Sequence, residues 1–103
     1  LANLRIRRPT SVVASLFEKL HALPFGMPAA DAYQSLQRGV IDGVAIPWEG
    51  ATVFKLNELA NHHTDVGGLY SLSFVVTMNK DVYNKLTPEL KAVIDKNSGM
   101  NLS

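Results

Sequence analysis

Leu4-Arg5-Ile6-Arg7-Arg8-Pro9-Thr10-Ser11 is the stretch on which the fold turns. Leu4 to Arg7 alternates apolar and charged residues, the period of a short strand. Pro9 ends that strand, and Thr10 or Ser11 can cap a helix reaching to about His21, with Val12, Val13, Leu16, Phe17 and Leu20 at helical spacing on one face. A strand handing over directly to an amphipathic helix is the opening half of a βαβ unit.

The rest of the chain repeats that alternation. Leu23 to Pro28 is extended, a second helix is expected over Ala29–Arg38 with Gly39 as its stop, and Gly43 to Pro47 reads as a short buried strand. A third helix is expected over Glu49–Ala60, a loop over Asn61–Gly68, and a longer strand over Tyr70–Met78, the most β-rich run present. Lys80–Leu86 is helical, and Thr87-Pro88-Glu89 starts another helix with a cap, a proline at its first position and acid in its first turn. The expected architecture is α/β: a mainly parallel sheet with helices on both faces, built as one domain over residues 1–103.

Composition limits what such a domain can do. Ten Lys and Arg against nine Asp and Glu leave a net charge of +1, which supplies no general attraction to nucleic acid or to an anionic membrane. The absence of cysteine removes disulfides, thiolate metal sites and cysteine nucleophiles. No run reaches the ~18 apolar residues that a membrane span needs. No secretion signal is recognisable and the chain begins at Leu1 rather than Met, so it reads as a piece of a longer product.

In a parallel sheet, ligands bind beyond the carboxyl ends of the strands, where the following helices begin. That rule selects Arg7 to Ser11 (with Pro9 and Thr10), Met27 to Ala29, Ile46 to Glu49 (with Pro47), and the surroundings of Tyr70. Arg7 can hold a carboxylate through two parallel hydrogen bonds, or be a solvated arginine on an edge strand. Arg5 and Arg8 read as structural or surface charges. Trp48 is either an aromatic wall for an organic ligand or part of the core, and Glu49 either a ligand contact or a helix-start residue. His21, His62 and His63 read as surface histidines, because adjacent residues point apart and Asp65 adds little to a metal set. No catalytic constellation is recognisable, so the expectation is a binding protein, with no cofactor and no metal.

Three blocks together resemble one family. Leu4-Arg5-Ile6-Arg7-Arg8-Pro9 is similar to the "L-K-I-R-x-P" strand of the periplasmic substrate-binding proteins of TRAP transporters. Met27-Pro28 with Ala32-Tyr33-Gln34-Ser35-Leu36-Gln37-Arg38-Gly39-Val40-Ile41-Asp42-Gly43 resembles a second family stretch, and Met78-Asn79-Lys80, Tyr83 and Leu86-Thr87-Pro88-Glu89-Leu90-Lys91 a third. The resemblance implies the second lobe of a two-lobed type II periplasmic-binding-protein fold, with the first lobe absent. It implies a receptor that closes on a small organic acid and delivers it to the TRAP membrane permease, with Arg7 as the carboxylate anchor. Many relatives read "Q-E-N-P" where this chain has Val44-Ala45-Ile46-Pro47; Ile46 cannot make the polar contact of that Asn, which turns the expectation towards an aromatic or otherwise apolar monocarboxylate. A homodimer through the exposed cleft face is a further expectation. The alternative reading is the effector-binding lobe of a bacterial transcription regulator.

Overall fold

Pro9 and Thr10 separate the first strand from the first helix in the computed structural model of the chain, which describes residues 1–102. Strand β1 (Arg5–Arg8) is followed by helix α1 (Ser11–Lys19), and the Thr10 hydroxyl accepts a hydrogen bond from the Val13 amide at 3.3 Å, satisfying one of the orphan donors of the first turn. The helix ends on His21, which takes the left-handed conformation at φ 60°; its amide donates to Glu18 and that of Ala22 to Phe17, a Schellman closure made without glycine. The chain then runs into β2 (Leu23–Gly26), a 3-10 turn at Ala29–Asp31, helix α2 (Ala32–Gln37) and the two-residue strand β3 (Gly43–Val44). Gly39 at φ 71° terminates α2 as its position in the sequence predicts.

The sheet is parallel, in the order β2-β1-β3. Arg7 lies beside Phe25 on one side and Val44 on the other. Ile6 packs with Val13, Phe17 and Ala22, so α1 covers the Ile6 face of the central strand. Alternation turns Arg7 to the opposite side of β1 from Ile6. Only part of the apolar stripe of α1 is used: Val12 is exposed, and Ala14 is buried in its stead.

The third helix is shorter than its pattern predicts. Helix α3 spans Trp48–Val53, Lys55 turns left-handed at φ 56°, and a separate 3-10 turn covers Leu56–Glu58. The β-branched pair Thr52-Val53 favours helix weakly, and stopping there lets Leu56 reach full burial.

The chain divides into two compact units, Leu1–Tyr70 and a second beginning at Ser71. The second contains α4 (Lys80–Asn84), α5 (Pro88–Lys96) and a 3-10 turn at Gly99–Leu102. Thr87 caps α5 with Pro88 at its first position, as predicted. The Asn79 side chain caps α4, accepting from the Asp81 amide at 2.8 Å. The predicted strand over Tyr70–Met78 does not form. A strand exists only where another strand takes its hydrogen bonds, and this run finds no such partner among the described residues; Phe74, Val75 and Val76 stand exposed. The helical spacing of Leu90, Val93 and Ile94 predicts an inward face for α5; Leu90 and Val93 are exposed, and Ile94 is half-buried.

Candidate functional site

Arg7 is only 7% exposed, which rules out a freely solvated surface arginine. Its Nε donates to the Met27 carbonyl at 3.1 Å and its Nη1 to the Ala45 carbonyl at 3.2 Å. Met27 follows the carboxyl end of β2 and Ala45 that of β3, so the guanidinium is held between the exits of both neighbouring strands. Those two bonds fix the plane of the fork. They leave the Nη2 group without a protein partner among the described residues, and no fully buried side-chain nitrogen or oxygen lacks a partner, so Nη2 faces accessible space.

Among the described residues no carboxylate pairs with this charge. Among the described residues the ion pair is Arg5 with Asp42, where Arg5 Nη2 meets Asp42 Oδ1 at 2.7 Å and Arg5 Nε meets Oδ2 at 3.0 Å. Burial pushes the pKa of Arg7 below its usual value; the neighbouring Tyr70 raises it and Arg8 lowers it further. Burial in turn raises the Tyr70 phenol, opposed by the charge of Arg7. A buried cation held by carbonyls, with one donor group free and no anion beside it among the described residues, has the chemistry to take up an anion.

A cavity of about 450 Å³ flanks β3 and is walled in part by Val44, Ala45, Ile46 and Tyr70, with Leu4 and Ile6 below them. Arg7 is not among its walls; Ala45 and Tyr70 belong both to this cavity and to the surroundings of Arg7. The walls are mostly apolar, with Asp42, His62 and Thr64 as polar exceptions.

The remaining predicted site residues fall into two groups. Arg7, Met27, Ile46 and Tyr70 gather at the carboxyl ends of the strands. Pro9 lies in the bend after β1, Thr10 is spent on capping α1, and Pro47 and Glu49 form the start of α3. Trp48 is 59% exposed, which removes the core reading; its ring meets that of His63 at 5.7 Å, tilted by 55°. Three residues had no signal in the sequence. Asp42 pairs with Arg5 from 37 positions away, and Ala45 acts through its carbonyl, which any residue supplies. His63 gains a role only through the ring of Trp48. His62, His63 and Asp65 do not assemble with other residues into a metal-binding group among those described.

Comparison with known proteins shows the family to which the chain belongs. Residues 1–99 match the bacterial extracellular solute-binding protein family 7, DctP. The C4-dicarboxylate-binding periplasmic protein DctP of Rhodobacter capsulatus is 31% identical over 95 residues, which is 91% of this chain and 28% of that protein. A TRAP solute-binding protein from a marine metagenome, specific for aromatic acid ligands and solved with 3-hydroxybenzoate, is 43% identical and superimposes with a TM-score of 0.87 over 99% of this chain. A TRAP solute-binding protein from Rhodoferax ferrireducens, solved with copurified benzoate, is 40% identical with a TM-score of 0.89. This chain spans 33% of each of those two structures, about a third of their length.

Proposed function

Because the chain belongs to bacterial extracellular solute-binding protein family 7, we propose that it forms part of the ligand cleft of a TRAP receptor, working in the periplasm and passing its ligand to a membrane permease. The observation that carries this reading is Arg7: buried, tethered by the Met27 and Ala45 carbonyls, and left with a free Nη2. The ligand's carboxylate takes that free donor, and charge-assisted bonds of this kind contribute roughly 1.5–3 kcal/mol each. Ile46 and Tyr70, which with Ala45 line the neighbouring cavity, meet the ligand's body.

Ile46 favours carbon over hydroxyl there, and relatives 40% and 43% identical were solved with benzoate and 3-hydroxybenzoate. The proposed ligand is therefore an aromatic monocarboxylate. The family fold has a chemistry of capture and release, in which closure of a second lobe excludes water, and the role proposed is binding rather than catalysis. Membership of this family supports the receptor reading over the effector-binding lobe of a transcription regulator. A second copy covering the exposed cleft face is proposed for the isolated chain; a monomeric mass at high concentration in sedimentation would count against it.

The test is calorimetry on the receptor that carries this chain together with its complementing lobe. Benzoate and 3-hydroxybenzoate should bind more tightly than succinate. A receptor that preferred succinate, or bound none of the three, would overturn the reading.

A further inference from the structure

Two glycines of the chain admit no side chain in the present arrangement. At Gly26 a Cβ would stand 2.7 Å from Arg8 Nη2, the far end of a flexible side chain that can swing into solvent. At Gly50 the obstacle is of another kind. A Cβ there would stand 2.7 Å from Ile46 Cγ1 and 2.8 Å from Ile46 Cδ1, far inside the ~3.5–4.0 Å at which carbon atoms make contact. Ile46 is β-branched and therefore stiff at χ1, so it steps aside less readily than the long arginine does. One flank of Ile46 lies on the α3 backbone at Gly50, which is buried; the other borders the open space that Ala45 and Tyr70 also border. With the helix behind it, that space is where Ile46 can yield.

We propose that Gly50 is a positioning residue that sets the length of ligand the site accepts, acting through Ile46. The bare Cα is the recess into which Ile46 leans. Any side chain at position 50 lifts Ile46 off α3 and narrows the space that Ala45 and Tyr70 also border. The inference rests on the reading above, that the ligand's body lies against Ile46.

The experiment is a titration of the receptor carrying this chain with benzoate, phenylacetate and 3-phenylpropionate, acids of one head and increasing reach. The chain is compared as it stands and as Gly50→Ala, Ile46→Ala and the double variant. Gly50→Ala should penalise 3-phenylpropionate relative to benzoate by roughly 10- to 200-fold, the range for one methylene group misfitted in an apolar pocket. In the Ile46→Ala background, where both obstructing atoms are gone, adding Gly50→Ala should leave the ranking of the three acids unchanged. If Gly50→Ala alone does not fold, the double variant should fold, since the overlap is removed. A uniform loss across the series, an unchanged ranking in Gly50→Ala, or a double variant no better than the single each overturns the proposal. These outcomes differ from failure of the underlying reading, in which the unsubstituted receptor binds none of the three acids.

Discussion

Arg7→Lys is the substitution that separates a two-donor anchor from a mere positive charge. Arg7→Ala would be less informative, because it also strips the Met27 and Ala45 carbonyls of their donor. Each such orphaned acceptor costs about 1–3 kcal/mol, and loss of fold and loss of binding would be confounded. Lysine keeps the charge but concentrates it on one nitrogen at the end of a flexible stem. In the native site Nε serves Met27, one hydrogen of Nη1 serves Ala45, and the outward donors remain for the ligand. An ammonium cannot span both carbonyls and still present two parallel N–H groups to a carboxylate. One charge-assisted bond to the ligand is lost, about 1.5–3 kcal/mol, which weakens affinity by about 10- to 100-fold at 1.4 kcal/mol per decade. The assay is calorimetric titration of the receptor with benzoate, alongside urea unfolding to confirm that the variant is native. A folded Arg7→Lys receptor that binds benzoate as tightly as the original would refute the two-donor geometry.

Other expectations follow from particular contacts. Hydrogen bonding to Arg5 lowers the Asp42 carboxyl from 3.8 to about 2; a carboxyl lowered on folding stabilises fully above its unfolded value and loses that contribution as pH falls towards its folded one. Circular dichroism should therefore show stability falling between pH 3.8 and about 2, and Asp42→Asn should be less stable at neutral pH with a shallower acid decline; identical acid profiles would contradict the pairing. Ile41 is 1% exposed, so Ile41→Ala should cost about 2–5 kcal/mol in urea unfolding, and a loss below about 1 kcal/mol would mean that the site collapses around the smaller residue. Ser73 to Met78 combines β-propensity, no charge and exposure, the signature of a self-pairing segment; Val75→Lys should raise the soluble fraction of the chain at high concentration without moving its unfolding midpoint, and unchanged solubility would clear this segment.

What could be read from the sequence is what depends on neighbours in sequence. Thr10, Gly39 and Thr87 mark helix ends because capping is settled within a few residues. Arg7 was singled out because a strand end before a helix start is visible as a pattern. Its tethers were not, since a carbonyl carries no residue identity. The Arg5–Asp42 pair joins positions that no local period connects. The misread strand over Tyr70–Met78 and the outward Leu90 and Val93 share one cause: β-propensity and amphipathic spacing announce a surface that wants covering, and whether anything covers it is decided by the rest of the structure. Trp48 could not be assigned to core or surface, since an aromatic at a helix start can face either with the same local sequence.

Under the proposed role of Arg7, the two carbonyls that hold it also bear on how such a receptor could change ligands over generations. Met27 and Ala45 lie in irregular segments just past the ends of β2 and β3. A substitution that nudges either segment by a fraction of an ångström would tilt the guanidinium plane, and with it the angle at which an acid enters, while the arginine itself stays in place. Selectivity can thus drift by re-aiming an unaltered anchor, which leaves intermediate variants able to bind something at every step.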